Sequence, residues 1–534
     1  MKRRYENMML VFLVTFCCVL VNIQIDNDQP WIGRIAKSCT GNQDSDDSQE
    51  TTQNLSILQP LHSNSVDSRS SENDPLTLSY GDLPGYTGWA RPVHTTAPWY
   101  RVEVPSTTTV GVESIWTIQC RVPACRNFNA LFDVRAYGPA IVPGHVVHHE
   151  QHSGHYNVSF FFQDAGIYVV EIVLAFSHVL PLSRFPTKTE PKYEGYLLPG
   201  MPTTVLVNHN TSYKTSPSTL HIRRQCKKSD LVETNSTSAL DKGRWKVIER
   251  TQSTGKIPDP HMDTSFVDYK YGSSSIGFKA DYLYKDCDLA DVPSLVSQST
   301  KLNDRSKHTI VFIGDSHMRK QHKIFVQHFA DLFPSVYLKT NDGLLTRFPE
   351  ISQGLDTLKR EQNNTGGKIH IIFNAGLHEI AILCSQRRVQ SRGRVIPTPD
   401  KAFSCTEQYR LNLRTLISLV VNIPTASLVF QSTSAGWLKW GNYGFVWEPN
   451  RTQEFPSDAH ACADFNDIAF DLMDIYNIPV IDSYWMTLAR PDHREIDEIN
   501  SRGKKMVHAG VEVYDVLLRK WLSVVLEDGL ADSI

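Results

Sequence analysis

The chain has 534 residues, of which 41% are hydrophobic and 21% charged, with a formal net charge of −3. That length leaves room for roughly two to four domains with sizeable cores. A near-neutral balance with no long basic stripe excludes nucleic acid as a partner class.

Lys2, Arg3 and Arg4 precede an apolar run from Met8 to Val21, and Asp26 and Asp28 follow it. Positive charge before the run and acid after it put the start in the cytoplasm and the rest across the membrane. The run suits a type II anchor or a signal peptide, and no Ala-x-Ala-like pair follows it. Residues 1–25 are therefore expected to be a signal-anchor, with a secreted product as the alternative if the segment is cleaved. Of ten cysteines, Cys17 and Cys18 fall inside the run. The others are Cys39, Cys120, Cys125, Cys226, Cys287, Cys384, Cys405 and Cys462, an even set that favours disulfides in an exported chain. The sequons at Asn54, Asn157, Asn210, Asn235, Asn363 and Asn450 point to the same glycosylated, lumenal setting.

Residues 26–86 are rich in Ser, Asp, Gln and Asn and poor in aromatics, a composition that cannot bury a core and predicts a disordered stem. From 87 to 222 the pattern is short alternating strands: SIWTIQC (114–120), ALFDVRAYG (130–138), YNVSFFF (156–162) and IYVVEIVLAF (167–176). Gln163-Asp164-Ala165-Gly166 joins the last two as a hairpin-like turn. Many strands without helices predict a β-sandwich of immunoglobulin or filamin type. Within it, His145, His148, His149, His152 and His155 tempt a metal reading. However, HEQHS misses the zinc-protease pattern because Ser153 stands where the second His is needed. An exposed polar loop is the expectation there, and no metal.

Residues 223–306 form a connector with little periodicity, containing GRWKVIE (243–249) and DYLYKDCDL (281–289). Over 307–534, strands and helices alternate. Strands are expected at Thr309–Ile313, Lys368–Phe373, Ser427–Phe430 and Ile478–Asp482. Helices are expected at Tyr409–Ile423, Ala459–Tyr476 and Val511–Leu526. That rhythm predicts a mostly parallel sheet with helices on both faces, whose active groups gather at the carboxyl ends of the strands.

In HTIVFIGDSHMRKQ (308–321) a buried strand breaks at Gly314-Asp315-Ser316 and a helix follows. Ser316 is thereby placed on a sharp turn, where an exposed hydroxyl with nearby N–H donors suits a nucleophile. Asn374 and Gly376, directly after the KIHIIF strand, are candidate oxyanion donors. His508 lies just before the final helix and is the candidate base, with Asp492 the nearest acid and His493 a competing base.

GDSHMRKQ resembles the GDSxxRxQ signature of PC-esterase-type proteins, a branch of the SGNH hydrolase superfamily. That branch includes plant trichome-birefringence-like and fungal capsule polysaccharide O-acetyltransferases. FNAGLH resembles their Asn-x-Gly-x-His block, and GRW with Cys287 is similar to their upstream segment. A sandwich ahead of such a domain resembles the neurexophilin and PC-esterase (NXPE) arrangement. The resemblance implies Ser316 as nucleophile, Asn374 and Gly376 in the oxyanion region and His508 as the terminal His. Arg319 and Gln321 match motif positions whose role the motif does not settle. One position departs: Lys505 stands where the family's Asp-x-x-His block has Asp. Asp492 then supplies the carboxylate, the His acts unaided, or the site is altered.

The resemblance implies a lumenal glycan O-acetyltransferase or acetylesterase, working through an acyl-serine without metal or cofactor apart from an acetyl donor in the transferase case. A transferase also needs a multispan donor transporter or a lumenal donor. The rival expectation is a catalytically inactive scaffold that binds or adheres through its sandwich. A lipase or thioesterase is a third.

Overall fold

The computed structural model describes residues 97–105, 107–126, 129–148, 154–177, 196–209, 223–250, 278–302, 305–340, 343–384, 390–391, 394–395, 403–435, 459–490, 509 and 511–531. The apolar run, the stem, Asp492, His508, His149, His152 and the sequons at Asn54, Asn210 and Asn450 lie outside them. Among the described residues, no helix is long and apolar enough to cross a membrane. The fold is mixed α/β, with mainly antiparallel sheets before residue 285, where only the strands Thr108–Thr109 and Thr203–Asn208 pair in parallel among the described residues, and a five-stranded parallel sheet after 307.

The antiparallel part uses twelve strands, β1 (Tyr100–Glu103), β2 (Thr108–Thr109), β3 (Glu113–Cys120), β4 (Leu131–Tyr137), β5 (Ala140–Pro143), β6 (His145–His148), β7 (His155–Phe161), β8 (Gly166–Phe176), β9 (Tyr196–Leu197), β10 (Thr203–Asn208), β11 (Gly243–Arg250) and β12 (Phe278–Tyr284). They form a four-stranded sheet, β1-β3-β7-β6, and an eight-stranded one, β12-β11-β5-β4-β8-β10-β2 with β9 beside β8. In β3, Ser114, Trp116, Ile118 and Cys120 alternate inward, as the two-residue strand period requires. The two sheets meet through aromatic edges, with Phe132 against Tyr156 at 5.0 Å and Phe162 against Tyr168 at 4.6 Å between ring centres.

Three features differ from the sequence reading. Gln163-Asp164-Ala165-Gly166 is not a hairpin, because β7 and β8 belong to different sheets and the segment arches between them. Gly166 makes the arch at φ +141°, and a Cβ there would sit 2.7 Å from Pro139 Cγ. His145–His148 is strand β6 rather than loop, and His155 opens β7. His145 packs edge-on against Trp485 and His148 against Tyr156, and no group of three or more metal-ligating side chains occurs among the described residues. The connector contains the hairpin β11–β12, and β11 pairs with β5 through Trp245↔Ile141, so it widens the eight-stranded sheet.

The apolar run of β8, interrupted by Glu171, follows from cover on both faces. Phe132, Val134 and Ala136 face the first sheet, while Asp133, Arg135 and Tyr137 face the other way. On that second face Arg135 lies 3.8 Å from Glu171, both fully buried, and Asp133 Oδ1 meets His460 Nε2 at 3.1 Å. Trp245 is a buried joint between the two halves. It is 1% exposed, packs in one core with Tyr137, Phe312 and Trp521, and donates Nε1–H to the Met486 carbonyl at 2.9 Å. Trp245→Phe is expected to cost about 1–3 kcal/mol, because it leaves that buried carbonyl without its donor. Trp245→Ala is expected to cost about 3–5 kcal/mol through the cavity. Denaturant melts measure both, and a smaller loss for Ala than for Phe would contradict the packing account.

The parallel sheet contains β13 (His308–Gly314), β14 (Ser335–Lys339), β15 (Lys368–Phe373), β18 (Ser427–Gln431) and β19 (Val480–Ile481), while β16 (Gln390–Ser391) and β17 (Arg394–Val395) pair separately. Its order is β14-β13-β15-β18-β19, the 2-1-3-4-5 order of doubly wound sheets. Ile310 and Phe312 face α1 (Ser316–Phe329) and the closing helix α7 (Val511–Ala531). Val311 and Ile313 face the core that holds α2 (Leu344–Thr365), α4 (Cys405–Val421) and α5 (Ala459–Ile475). Two short helices also lie in this half among the described residues, α3 (Leu377–Leu383) and α6 (Tyr484–Leu488). Disulfides join Cys120–Cys125, Cys226–Cys287 and Cys384–Cys405, and Cys462 is a buried thiol.

At the amino end of the sheet His308 Nδ1 meets His370 Nε2 at 3.0 Å with parallel rings, beside a crevice closed by Phe333 and Leu522. Burial, then the Lys368 charge, hold the His308 imidazole below its usual value. A base depressed in the fold takes up protons more readily when unfolded, so its contribution is complete above the unfolded value of 6.5 and is lost as pH falls below it. Melting temperature is expected to fall on acidification from pH 7.5 toward 5, and less steeply in His308→Asn. A steeper fall in the variant would contradict this assignment.

Candidate active site

β13 ends at Gly314 and α1 starts at Ser316, so the chain reverses within a single residue, Asp315. A Cβ on Gly314 would lie 2.3 Å from Met318 Cγ and 2.8 Å from Met318 Cβ, which is why the turn closes only on glycine. Asp315 caps the helix by accepting the His317 N–H at 2.8 Å. That cap takes one of the helix-end donors expected to face an oxyanion. Tyr337 Oη donates to the Gly314 and Asp315 carbonyls at 3.0 and 2.9 Å, and burial pushes its phenol up. Thr340 N–H also reaches the Gly314 carbonyl, at 2.8 Å. The turn that carries Ser316 is therefore held by β14 as well as by its own strand.

Asn374 follows β15, the neighbour of β13, and its N–H donates to the Ile313 carbonyl at 2.9 Å. Ser316 and Asn374 thus stand at the carboxyl ends of adjacent strands, on either side of the point where the strand order reverses. In open α/β sheets that crevice is where ligands bind. The Asn374 amide itself points to the next strand, donating to the Gln431 carbonyl at 2.8 Å and the Ser432 carbonyl at 3.3 Å. Gly376 begins α3 pressed onto the end of β18, where an added Cβ would come within 1.8 Å of Thr433 Oγ1.

Gln321 is a buried strut, donating Nε2–H to Gln431 Oε1 at 2.9 Å, and Arg319 is exposed on α1. Neither Asp492 nor His508 is among the described residues, but Ala509 is. Ala509 N–H donates to Tyr514 Oη at 3.2 Å, and that oxygen lies 2.9 Å from His317 Nδ1. Of the sequons, Asn157 lies on β7 and Asn363 is exposed on α2. Asn235 Oδ1 accepts the Thr237 hydroxyl at 3.1 Å.

The sequence reading missed the polar run Ser432-Thr433-Ser434 after β18, although small polar residues directly after a buried strand were its signal. Asn466 clasps Thr433, accepting its N–H at 2.7 Å and donating to its carbonyl at 3.0 Å. Asp482 directly follows β19, two strands from Asn374, and is buried, with Oδ1 accepting the Tyr484 and Trp485 N–H groups at 3.0 and 3.2 Å. Burial raises its carboxyl to about 6 despite the Lys520 ammonium, which donates to the Asp482 carbonyl at 3.2 Å. These bonds make Asp482 an anchor for α6.

The sequence predicts an exposed Ser316 hydroxyl, but the residue is buried at 6% exposure because the turn packs between strand and helix, and the Asn374 N–H beside it is taken by the Ile313 carbonyl. No protein-family model and no curated protein matches the chain. Among solved structures, the crystal structure of the Lin-41 filamin domain is similar to part of it, at 13% identity and a TM-score of 0.16, over 21% of this chain and 96% of that one. At that score the likeness assigns neither fold nor function to this chain.

Proposed function

We propose that this chain is a lumenal acyl-ester enzyme of the NXPE and PC-esterase kind, a glycan O-acetyltransferase or acetylesterase. In this reading its paired antiparallel sheets are an immunoglobulin- or filamin-like sandwich, and its parallel half is an SGNH-like domain. The carrying observation is that Ser316 follows the carboxyl end of β13 while Asn374 and Gly376 follow that of the adjacent strand β15, across the reversal of strand order.

Ser316 Oγ attacks the acetyl carbonyl carbon while His508 takes the hydroxyl proton. The tetrahedral oxyanion is held by the Gly376 N–H and by the Asn374 amide, once that amide turns from the Gln431 carbonyl. Collapse breaks the ester C–O bond, and the departing sugar oxygen takes the proton from His508, leaving acetyl on Ser316. Water then gives hydrolysis, or a second sugar hydroxyl gives transfer, with His508 again moving the proton. Asp492 orients His508 in place of the carboxylate absent at Lys505. The substrate is a glycan or glycoprotein, and a transferase draws acetyl from a multispan donor transporter. The apolar N-terminal run anchors the chain in Golgi or endoplasmic reticulum, or is cleaved to release it.

One observation favours a second reading, a catalytically inactive binding or adhesion module. The Asn374 amide is already spent on two carbonyls of the neighbouring strand end. Incubating the full-length chain with O-acetylated oligosaccharides separates the two. Acetate release or acetyl transfer by wild type, lost in Ser316→Ala, supports the enzyme. Retained oligosaccharide binding with no turnover supports the module.

A further inference from the structure

We infer that Tyr409 is a positioning residue for the ester chemistry, its buried hydroxyl setting the direction of the Gly376 N–H through the carbonyl of the same peptide unit. The inference rests on the reading of Ser316 as nucleophile with that N–H as an oxyanion donor, and deepens it. Gly376 is buried, and among the described residues its N–H donates to no protein atom. A buried backbone N–H without a partner is rare, and an unspent one is suited to a charge that develops during reaction. The other end of the same peptide unit is tied firmly. The Ala375 carbonyl accepts the Tyr409 hydroxyl at 2.7 Å and the Thr433 hydroxyl at 3.3 Å. The bond between Ala375 and Gly376 is trans, so its C=O and N–H lie in one plane and point in opposite directions. Holding the carbonyl therefore aims the N–H.

Tyr409 lies on α4, in the core on the opposite side of the sheet from the one that holds α1. The N–H is thus turned away from α4, toward the side on which Ser316 opens α1. Tyr409 is fully buried, and its ring packs on Phe465 at 4.2 Å between centres. Burial, then the Glu379 charge, push its phenol well above the usual value, so it stays a donor at any working pH. Spacing on α4 explains the hold. Cys405, Tyr409 and Asn412 stand at i, i+4 and i+7 on one helix face, and all three grip residues 375–384. Cys405 does so through its disulfide with Cys384, Tyr409 through the Ala375 carbonyl, and Asn412 by donating to Glu379 Oε2 at 3.0 Å. Only the Tyr409 tie acts on the peptide unit that carries the N–H. Removing an oxyanion donor outright costs about 10²–10³-fold in rate, and misdirecting one costs part of that. A tyrosine hydroxyl with a purely structural role would alter stability alone.

The test compares 4-nitrophenyl acetate with its thiono analogue, in which sulfur, a weak hydrogen-bond acceptor, replaces the carbonyl oxygen. The proteins are full-length wild type, Tyr409→Phe, Thr433→Val and Asn412→Ala. Melting temperatures are taken in parallel, and acyl groups on Ser316 are followed by peptide mass spectrometry. Tyr409→Phe is expected to lower kcat on the oxygen ester about 10–100-fold. KM should change little and the thiono ester should lose much less, so the rate ratio between the two substrates falls. Thr433→Val removes the second hydroxyl from the same carbonyl and should move the ratio the same way, whatever the stability of Tyr409→Phe. Asn412→Ala cuts a neighbouring tie without touching that peptide unit, and should lower the melting temperature while leaving the ratio at its wild-type value. A wild-type ratio in folded Tyr409→Phe, or in Thr433→Val, would overturn the role, as would an equal fall of the ratio in Asn412→Ala. Failure of the underlying reading is separately visible: wild type that turns over neither ester and carries no acyl group on Ser316 removes the nucleophile, and the positioning role with it.

Discussion

Ser316→Ala is expected to lower acetyl-ester turnover by at least about 10³-fold, the scale of losing a nucleophile that acts as one unit with its base. Its effect on stability is expected to be small. Ser316 is the first helical residue of α1, the capping is done by Asp315, and the turn is held by backbone bonds from Thr340 and the Tyr337 hydroxyl. Alanine keeps the backbone and tolerates that helical position. Full loss of turnover in a protein that melts within a few degrees of wild type therefore assigns the chemistry to one oxygen. Turnover above about a tenth of wild type would place the nucleophile elsewhere.

Gly376→Ala is expected to be the most disruptive single-methyl change in the site. The new Cβ would meet Thr433 Oγ1 at 1.8 Å, and Thr433 Cβ and Cγ2 at 2.8 Å. Thr433 cannot step aside, because Asn466 holds its N–H and carbonyl. Gly376 has little room either, since the preceding Ala375 carbonyl accepts the Tyr409 hydroxyl at 2.7 Å. Overpacking of this kind costs about 3 kcal/mol when neither partner relaxes, and any relief spreads the ends of β15 and β18, moving the Gly376 N–H. Both the denaturant midpoint and ester turnover should fall, and adding Thr433→Ala should restore most of the midpoint. A Gly376→Ala protein as stable as wild type would show that the close approach is not a constraint.

Local pattern was enough where one strand and one turn decide the outcome. HTIVFIG is apolar and β-branched, Gly314 and Asp315 end it, and the helix follows, so the placement of Ser316 was legible from fourteen residues. The partners were not. β14 was missed because SVYLK is only half-buried and short, and α2 because Pro349 lies inside it and polar residues dominate its sequence. Without β14 the strand order, and hence the reversal between β13 and β15, cannot be derived, because order is a property of pairing rather than of any one segment. The arch at Gly166 failed for the same reason, since alternation marks a strand but does not say which sheet it joins. Asn374 was correctly placed at a strand end, yet the direction of its amide depends on the Gln431 and Ser432 carbonyls of another strand. The connector carried a partial signal, because Trp245, Tyr282 and Tyr284 alternate on β11 and β12, but the segment between those strands separates the two halves of the pattern.

The measurement that bears most directly on the central claim is acyl-serine trapping on the full-length chain. The protein is mixed with an activated acetyl ester, quenched in acid, digested and mapped by peptide mass spectrometry. The account predicts one acetyl group on Ser316, formed rapidly, absent in Ser316→Ala and strongly reduced in His508→Ala. Folded protein that turns over no ester and carries no acetyl on Ser316 would contradict it and leave the binding-module reading in its place.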